Sequence, residues 1–239
     1  MLLDRRPQWG FVEIILIYLG IMVSSILFVA WQEEFAALLL TWGIPYNEST
    51  FFISAFLVQF FVTVLLIYVF AIVVNKASFR DLGFKVPAKK ELLYYGVGGG
   101  ILLLMIVFLL SIPIAYLNPN LEPQPYEEIL RELTQKTSVV WLVIIGVVLA
   151  PLSEEMFYRG IIYPVFRRHL GPTWGIVISG IIFGLAHFDL WRAIPLAIGG
   201  MGLCYIYEKT RSILVTTVAH GVWNLIMTLM VLQSIQLLT

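Results

Sequence analysis

Long apolar runs separated by short polar loops make up most of the chain. A helix needs about 20 mostly apolar residues to cross the hydrocarbon core of a bilayer, and seven segments are close to or beyond that length. The segment FAALLLTWGI at 35–44 is shorter, so we expect it to lie at the membrane interface or to re-enter. The pattern predicts an all-α integral membrane protein, a bundle of about seven to eight transmembrane helices. The predicted spans lie near residues 11–30, 51–74, 94–117, 138–165, 173–190, 193–208 and 212–235.

Composition supports the membrane assignment, because 60% of the 239 residues are hydrophobic and only 13% are charged, whereas soluble domains are nearer an even mixture. The first apolar run follows Arg5 and Arg6 in the manner of a signal peptide. It continues for about 20 residues and ends in FVAWQEE, which makes a poor cleavage site, so we expect a retained membrane anchor. Cys204 is the only cysteine, which excludes an internal disulfide framework.

The distribution of charge predicts the orientation of the chain. The formal net charge is zero, and no basic block or acidic tail indicates a nucleic-acid partner. Twelve of the fifteen lysines and arginines fall in alternate loops. The positive-inside rule makes that side cytoplasmic, which puts the N-terminus inside and the C-terminus outside. The three exceptions are Arg131, Lys136 and Arg192.

The polar stretches are short enough to be loops between spans, and no repeat of fixed period is present. The basic loop at 75–91 contains apolar residues, so it either lies along the inner membrane surface near anionic headgroups or is a plain connector. The loop at 118–137 ends in a short helical pattern that either shields the bundle or joins two spans. Glycine clusters at 96–100 and 199–202 predict close approach of helix backbones.

Two adjacent carboxylates occur inside an apolar run, in the stretch LSEEMFYRG at 152–160. From Ser138 to Leu152 there are fifteen residues, which span about 22 Å of helix at 1.5 Å per residue. This is less than the hydrocarbon thickness of about 30 Å, so Glu154 and Glu155 are expected within the membrane. Ionisable groups at that depth are costly and usually face a bundle interior or a wet cavity, which makes them functional candidates.

The two glutamates are not equivalent on a helix. Arg159 follows Glu155 by four residues, the favoured order for an ion pair on one helix face. We therefore expect Glu155 and Arg159 to form a buried pair that fixes helix packing. Glu154 points about 100° away and has no local cation. An unpaired carboxylate at this depth suits a general base, which makes Glu154 the candidate for function.

The three histidines differ in position. His169 precedes Gly171 and Pro172, so it is expected to cap a helix end or contact a headgroup. His187 is expected within the next apolar span, and His220 in the last one with Asn224 one turn later on the same face. If these spans meet near Glu154, they offer a base, a second group that holds water, and two N–H donors for an oxyanion. Such a set fits hydrolysis of an acyl bond.

Three motifs resemble those of a known family. EEMFYR at 154–159, FGLAH at 183–187 and HGVWN at 220–224 are similar to the EExxxR, FxxxH and HxxxN motifs of the CPBP family. That family contains the type II CAAX prenyl endopeptidases and the bacterial Abi, or bacteriocin-processing, proteins. The resemblance covers about residues 138–232. It suggests an N-terminal transmembrane and loop region, 1–137, and a CPBP-like catalytic core, 138–232, within one bundle.

The resemblance implies an intramembrane endopeptidase whose cavity opens to the cytoplasm. It implies that Glu154 is the base, that His187 is the second residue that holds water, and that His220 and Asn224 form the oxyanion hole. The supporting positions are Glu155 and Arg159. The expected partners are membrane lipids and a peptide substrate, either a CAAX-type prenylated protein or a small hydrophobic peptide, with no cofactor.

A metalloprotease is the mechanistic alternative. Glu154, His187 and His220 with one water would make a valid catalytic zinc set. Against it, the sequence has no HExxH helix, Glu154 cannot readily be both ligand and base, and Asn224 is not a usual zinc ligand.

Two alternatives come from other classes of protein. A noncatalytic membrane scaffold or immunity protein would use the same cavity to bind a peptide or partner. A proton-coupled transporter also needs buried carboxylates and histidines, but the sequence shows no inverted repeat. Cleavage by the wild type and not by Glu154→Gln separates an enzyme from a scaffold, and proton-coupled flux identifies a transporter.

Overall fold

The computed structural model describes residues 7–132 and 136–236, and within them every regular element is a helix. Arg5 and Arg6, which contribute to the predicted orientation, lie outside these residues. Five of the described helices are long and apolar enough to cross a membrane. The predicted class, an all-α multi-pass membrane protein, is therefore confirmed.

We number the helices in chain order. Helix α1 is Phe11–Ala30 and α2 is Gln32–Thr41. The ten residues of α2 extend for about 15 Å, which is too short to cross a bilayer, as predicted for this region. The remaining helices are α3 (Glu48–Val74), α4 (Lys89–Leu117), α5 (Pro125–Glu132), α6 (residues 136–170), α7 (residues 172–185), α8 (Ala193–Thr210) and α9 (Ile213–Gln236).

Gly171 separates α6 from α7. Its φ of 78° and ψ of 171° are not helical, and Pro172 follows it, so the predicted stop signals do end the helix. The apolar helical run Ser138–Leu185 contains 48 residues and would measure about 72 Å if straight, more than twice the hydrocarbon thickness. The break folds this run back on itself, which brings the rings of Tyr158 on α6 and Phe183 on α7 to a centroid distance of 5.0 Å.

Small residues bring helix backbones together, as the glycine clusters predicted. A Cβ atom on Gly184 of α7 would lie 2.4 Å from the carbonyl oxygen of Ala193 of α8. A Cβ on Gly100 of α4 would lie 2.3 Å from the carbonyl oxygen of Ala219 of α9. Because neither position has room for a side chain, these helices pack at backbone distance.

The basic loop after α3, residues 75–88, packs into the bundle. Leu82 is 1% exposed, and the backbone N–H of Ile213 at the start of α9 donates to the carbonyl of Gly83 at 2.9 Å. The hydroxyl of Ser212 donates to the carbonyl of Lys85 at 2.7 Å. The loop was expected to lie along the membrane surface or to be a plain connector, but these contacts fix it to the start of α9. Two of its large apolar side chains are exposed, Phe79 at 56% and Val86 at 86%.

The short helix α5 packs against α6 and α9 through Tyr126. The hydroxyl of Tyr126 hydrogen bonds with the hydroxyl of Thr228 at 3.0 Å and donates to the carbonyl of Leu142 at 3.3 Å. A Cβ on Gly146 would lie 2.6 Å from the Tyr126 ring. Of the two readings of this loop, shielding of the bundle is the one that the contacts support, because Tyr126 fills the space between α6 and α9.

Candidate active site

The Glu155 carboxylate joins the middle of α6 to α9. Its Oε1 accepts a hydrogen bond from Arg159 Nη1 at 2.7 Å, and neither side chain is exposed at all. The same oxygen lies 3.0 Å from His220 Nδ1. A second guanidinium nitrogen, Arg159 Nη2, donates to the carbonyl of Gly200 on α8 at 2.9 Å. The predicted pair within one helix is thus part of a network across three helices.

This contact determines the proton arrangement of His220. An ionised carboxylate can only accept a hydrogen bond, so His220 Nδ1 carries a proton and donates a hydrogen bond to Glu155. The other ring nitrogen, Nε2, then faces Glu154, whose Oε2 is 4.0 Å away. His220 is 5% exposed and sits in the interior of the bundle.

Glu154 differs from Glu155 in access. Its side chain is 33% exposed whereas that of Glu155 is 0% exposed, so only Glu154 can be reached from the surrounding space. Its buried oxygen, Oε2, has no hydrogen-bond partner within the described part of the chain. The Oε2 of Glu155 is likewise unbonded there, so what distinguishes Glu154 is its partial exposure, which a general base needs in order to reach water.

His187 lies outside the helix that was predicted to contain it. Helix α7 ends at Leu185, and His187 is in the following turn and exposed. In a continuing helix, the backbone N–H of residue 187 would donate to the carbonyl of Phe183. Here the ring Nδ1 of His187 lies 2.9 Å from that carbonyl oxygen and takes the place of the backbone donor. The carbonyl can only accept, so Nδ1 is protonated and, in the neutral ring, Nε2 is an acceptor.

The side chain of Asn224 hydrogen bonds to a backbone carbonyl that has no helical donor, because a proline occupies the donor position. Its Nδ2 donates to the carbonyl of Gly146 at 2.8 Å. Around Gly146 the helix is π-helical, with the N–H of Ala150 bonded to the carbonyl of Ile145. The next residue, Pro151, has no N–H to offer to Gly146. The carbonyl also fixes which end of the amide is the nitrogen, and the second Nδ2–H is left for a ligand.

Phe183 was part of a quoted motif but received no role from the sequence. Its ring contacts both imidazoles, with centroids 5.0 Å from that of His187 and 5.8 Å from that of His220. Trp223 lies on another side of His220, with ring centroids 5.8 Å apart. The FGLAH motif contained this information only as a phenylalanine four residues before a histidine.

The positions of the His, Cys, Asp and Glu side chains bear on the zinc alternative. Within residues 7–132 and 136–236, no three His, Cys, Asp or Glu side chains are grouped closely enough to hold a metal ion. Glu154, His187 and His220 therefore do not form the three-ligand arrangement of the zinc alternative in this structure.

The fold and the site together define a class of protein. The helices bring Glu155, Arg159 and His220 into one buried cluster, and Glu154 lies partly exposed beside His220. His187 contacts the cluster through Phe183, and Asn224 lies one turn beyond His220 on α9. This is an all-helical membrane protein with a cluster of ionisable side chains inside the bundle.

Comparison with known proteins agrees with the resemblance seen in the motifs. Residues 136–226 match the family model described as type II CAAX prenyl endopeptidase, Rce1-like. The chain is 26% identical over 99 residues to "Putative membrane peptidase YdiL" of Bacillus subtilis (strain 168), covering 41% of each protein. It is 26% identical over 139 residues to "Uncharacterized protein YyaK" of the same organism, covering 53% of this chain and 46% of that protein.

These matches have a limited extent. The chain spans less than half the length of both curated relatives. No solved structure matches the chain. The family resemblance predicted from the three motifs is confirmed for the segment that carries them.

Proposed function

We propose that this protein is an intramembrane endopeptidase that hydrolyses a peptide bond with water activated by Glu154. The observation that supports it most is the contrast within the glutamate pair. Glu155 is fully buried and bonded to Arg159, whereas Glu154 is one-third exposed and lies beside His220, with Oε2 4.0 Å from Nε2. A purely structural pair would need no second, accessible carboxylate at this depth.

The first step uses two acceptors on one water molecule. Glu154 removes a proton from water, and His187 Nε2, which is an acceptor in the neutral ring, receives a hydrogen bond from the same molecule. The resulting hydroxide attacks the carbonyl carbon of the scissile bond. Glu154 then gives its proton to the leaving nitrogen as the C–N bond breaks, so the products are a carboxylic acid and an amine.

The oxyanion is stabilised by donors on α9. Asn224 offers its second Nδ2–H, since the first is bonded to Gly146. His220 donates through Nε2 when the ring is doubly protonated, because Nδ1 already donates to Glu155. The charges then balance, with Glu155 opposite Arg159 throughout, and with His220 opposite Glu154 before the proton is removed and opposite the oxyanion afterwards.

A small hydrophobic peptide or a CAAX-type prenylated protein is the proposed substrate class, and the cytoplasmic side is the proposed side of entry. The family match supports a prenylated substrate, and the excess of basic residues in alternate loops supports the orientation. Purified protein in proteoliposomes should be given two fluorogenic peptides of one sequence, with and without an S-farnesyl group on a cysteine near the C-terminus. Faster cleavage of the farnesylated peptide supports the prenylated class, and equal rates support a hydrophobic peptide. If purified, folded protein cleaves neither peptide, the result contradicts the proposal.

Replacing Asn224 by alanine is expected to lower kcat about 100- to 1,000-fold, the usual cost of losing one oxyanion donor. KM should change little, because the lost hydrogen bond forms mainly in the transition state. The measurement is cleavage of the peptide that the wild type prefers. Asn118→Ala, in the loop that follows α4, is the matched control and should cleave at the wild-type rate. Equal rates for Asn224→Ala and the control would remove Asn224 from the oxyanion hole.

Chelation is expected to leave cleavage unchanged. In the proposed mechanism the water is held by Glu154 and His187 alone, so 1,10-phenanthroline should not alter kcat, and purified active protein should contain less than about one-tenth of a zinc ion per chain. Loss of activity with chelator and its return on adding Zn²⁺ would replace this mechanism with the metalloprotease alternative.

A further inference from the structure

One aromatic ring contacts three polar side chains of the candidate site. Phe183 is 1% exposed, and its ring meets His187, His220 and Tyr158 edge to face. The guanidinium carbon of Arg159 lies 4.9 Å from the centre of the same ring. The ring therefore adjoins both histidines and the cation that binds Glu155.

These contacts are directional. A phenyl ring is negative on its faces and positive at its edge, so it attracts a guanidinium and orders neighbouring rings in T-shaped arrangements. The backbone carbonyl of Phe183 also accepts from His187 Nδ1. One residue therefore holds His187 by both its ring and its carbonyl, and contacts His220 from α7.

The ring has little room to move. A Cβ atom on Gly200 would lie 2.9 Å from Phe183 Cδ1, so the ring fills the space that a larger residue on α8 would occupy. The carbonyl of the same Gly200 accepts from Arg159 Nη2 at 2.9 Å. Phe183, Gly200 and Arg159 thus form a closed set of contacts, which keeps water from the Glu155–Arg159 pair.

We propose that Phe183 is a positioning residue that fixes the placement of the His187 and His220 imidazoles relative to each other. This inference rests on the proposed function, since it assigns the ring a task in the same site. A leucine at 183 would keep the apolar character but not the flat, rigid contact surface. The imidazoles would then sample other orientations, and a misplacement of about 1 Å can cost about 100-fold in rate.

The kinetic test compares Phe183→Leu with Phe157→Leu. Phe157 is 5% exposed and belongs to the same buried cluster, so its loss creates a similar cavity without touching the histidines. With the farnesylated fluorogenic peptide, Phe183→Leu should lower kcat about 10- to 100-fold, with KM changed less than about threefold. Phe157→Leu should keep the wild-type kcat, and Phe183→Tyr, which retains the ring, should recover most of it. If Phe183→Leu does not fold, Phe183→Met gives the same comparison.

A second readout is independent of cleavage. The chain has three histidines, so selective ¹⁵N-histidine labelling gives one set of imidazole signals for each. In Phe183→Leu the signals of His187 and His220 should shift or broaden, while those of His169, which stacks on Phe11, stay in place. Unchanged imidazole signals, or equal kcat losses in both leucine variants, would overturn the proposal. If the wild type cleaves no peptide, the proposed function fails, and the imidazole signals still decide the role of Phe183.

Discussion

Glu154→Gln is expected to lower kcat by about 10²- to 10⁴-fold, the range that a general base contributes. Glutamine has nearly the same shape but cannot take a proton from water. KM should remain close to that of the wild type, because the substrate binds before the proton moves. Stability should also change little, since Oε2 accepts no hydrogen bond from the described residues and the side chain is partly exposed.

The control for this variant is Glu34→Gln, an exposed glutamate on α2. It makes the same chemical change away from the site and should cleave at the wild-type rate. The measurement is single-turnover cleavage in proteoliposomes, with the thermal transition of each variant followed by tryptophan fluorescence. Full cleavage by purified, folded Glu154→Gln would end the proposal that this carboxylate activates water. Absence of cleavage by the wild type, with substrate retained on the protein, would support the scaffold alternative.

Arg159→Met is expected to lower the free energy of unfolding by about 3–5 kcal/mol. Removing one member of a fully buried ion pair leaves the other charge in a medium of low dielectric, which is the main cost. Here Glu155 would keep only His220 as a partner. The double variant Glu155→Leu/Arg159→Met should recover most of this stability, because two apolar groups leave no buried charge.

The double variant Glu155→Leu/Arg159→Met should regain stability without regaining activity. The double variant removes the acceptor of His220 Nδ1, so kcat should stay low even when folding is restored. The surface variant Arg131→Met is the matched control: its partner Glu127 is 31% exposed, and an exposed pair contributes about 0–1 kcal/mol. Unfolding in detergent, followed by circular dichroism, gives the comparison. Equal stability of Arg159→Met and Arg131→Met would show that the buried pair has no part in holding the fold.

Local patterns in the sequence predicted the local features of the structure. The apolar runs predicted the helices, Gly171 and Pro172 predicted the break between α6 and α7, and four-residue spacing predicted the ion pair of Glu155 with Arg159. All three depend on residues that are close together in the chain, where helix geometry is sufficient. The roles of the site residues stay predictions.

Contacts between distant segments could not be read in the same way. Glu155 and His220 belong to different helices, and periodicity alone does not give the rotation of one helix against another. His187 was expected inside a span because the run FGLAHF is apolar, but its own imidazole takes the carbonyl that the helix needed to continue. Phe183 received no role from the sequence, since an aromatic side chain carries no sign of which polar groups surround it.

Pro151 shows how an absent atom can orient a distant side chain. Pro151 touches no substrate in the proposed reaction. It affects Asn224 only because it has no backbone N–H to donate to the carbonyl of Gly146. The free carbonyl of Gly146 then distinguishes the two ends of the Asn224 amide, which are otherwise alike in shape. The orientation of the Asn224 amide on α9 is thus determined by a proline on α6, whose ring occupies the backbone nitrogen that would otherwise bond to Gly146.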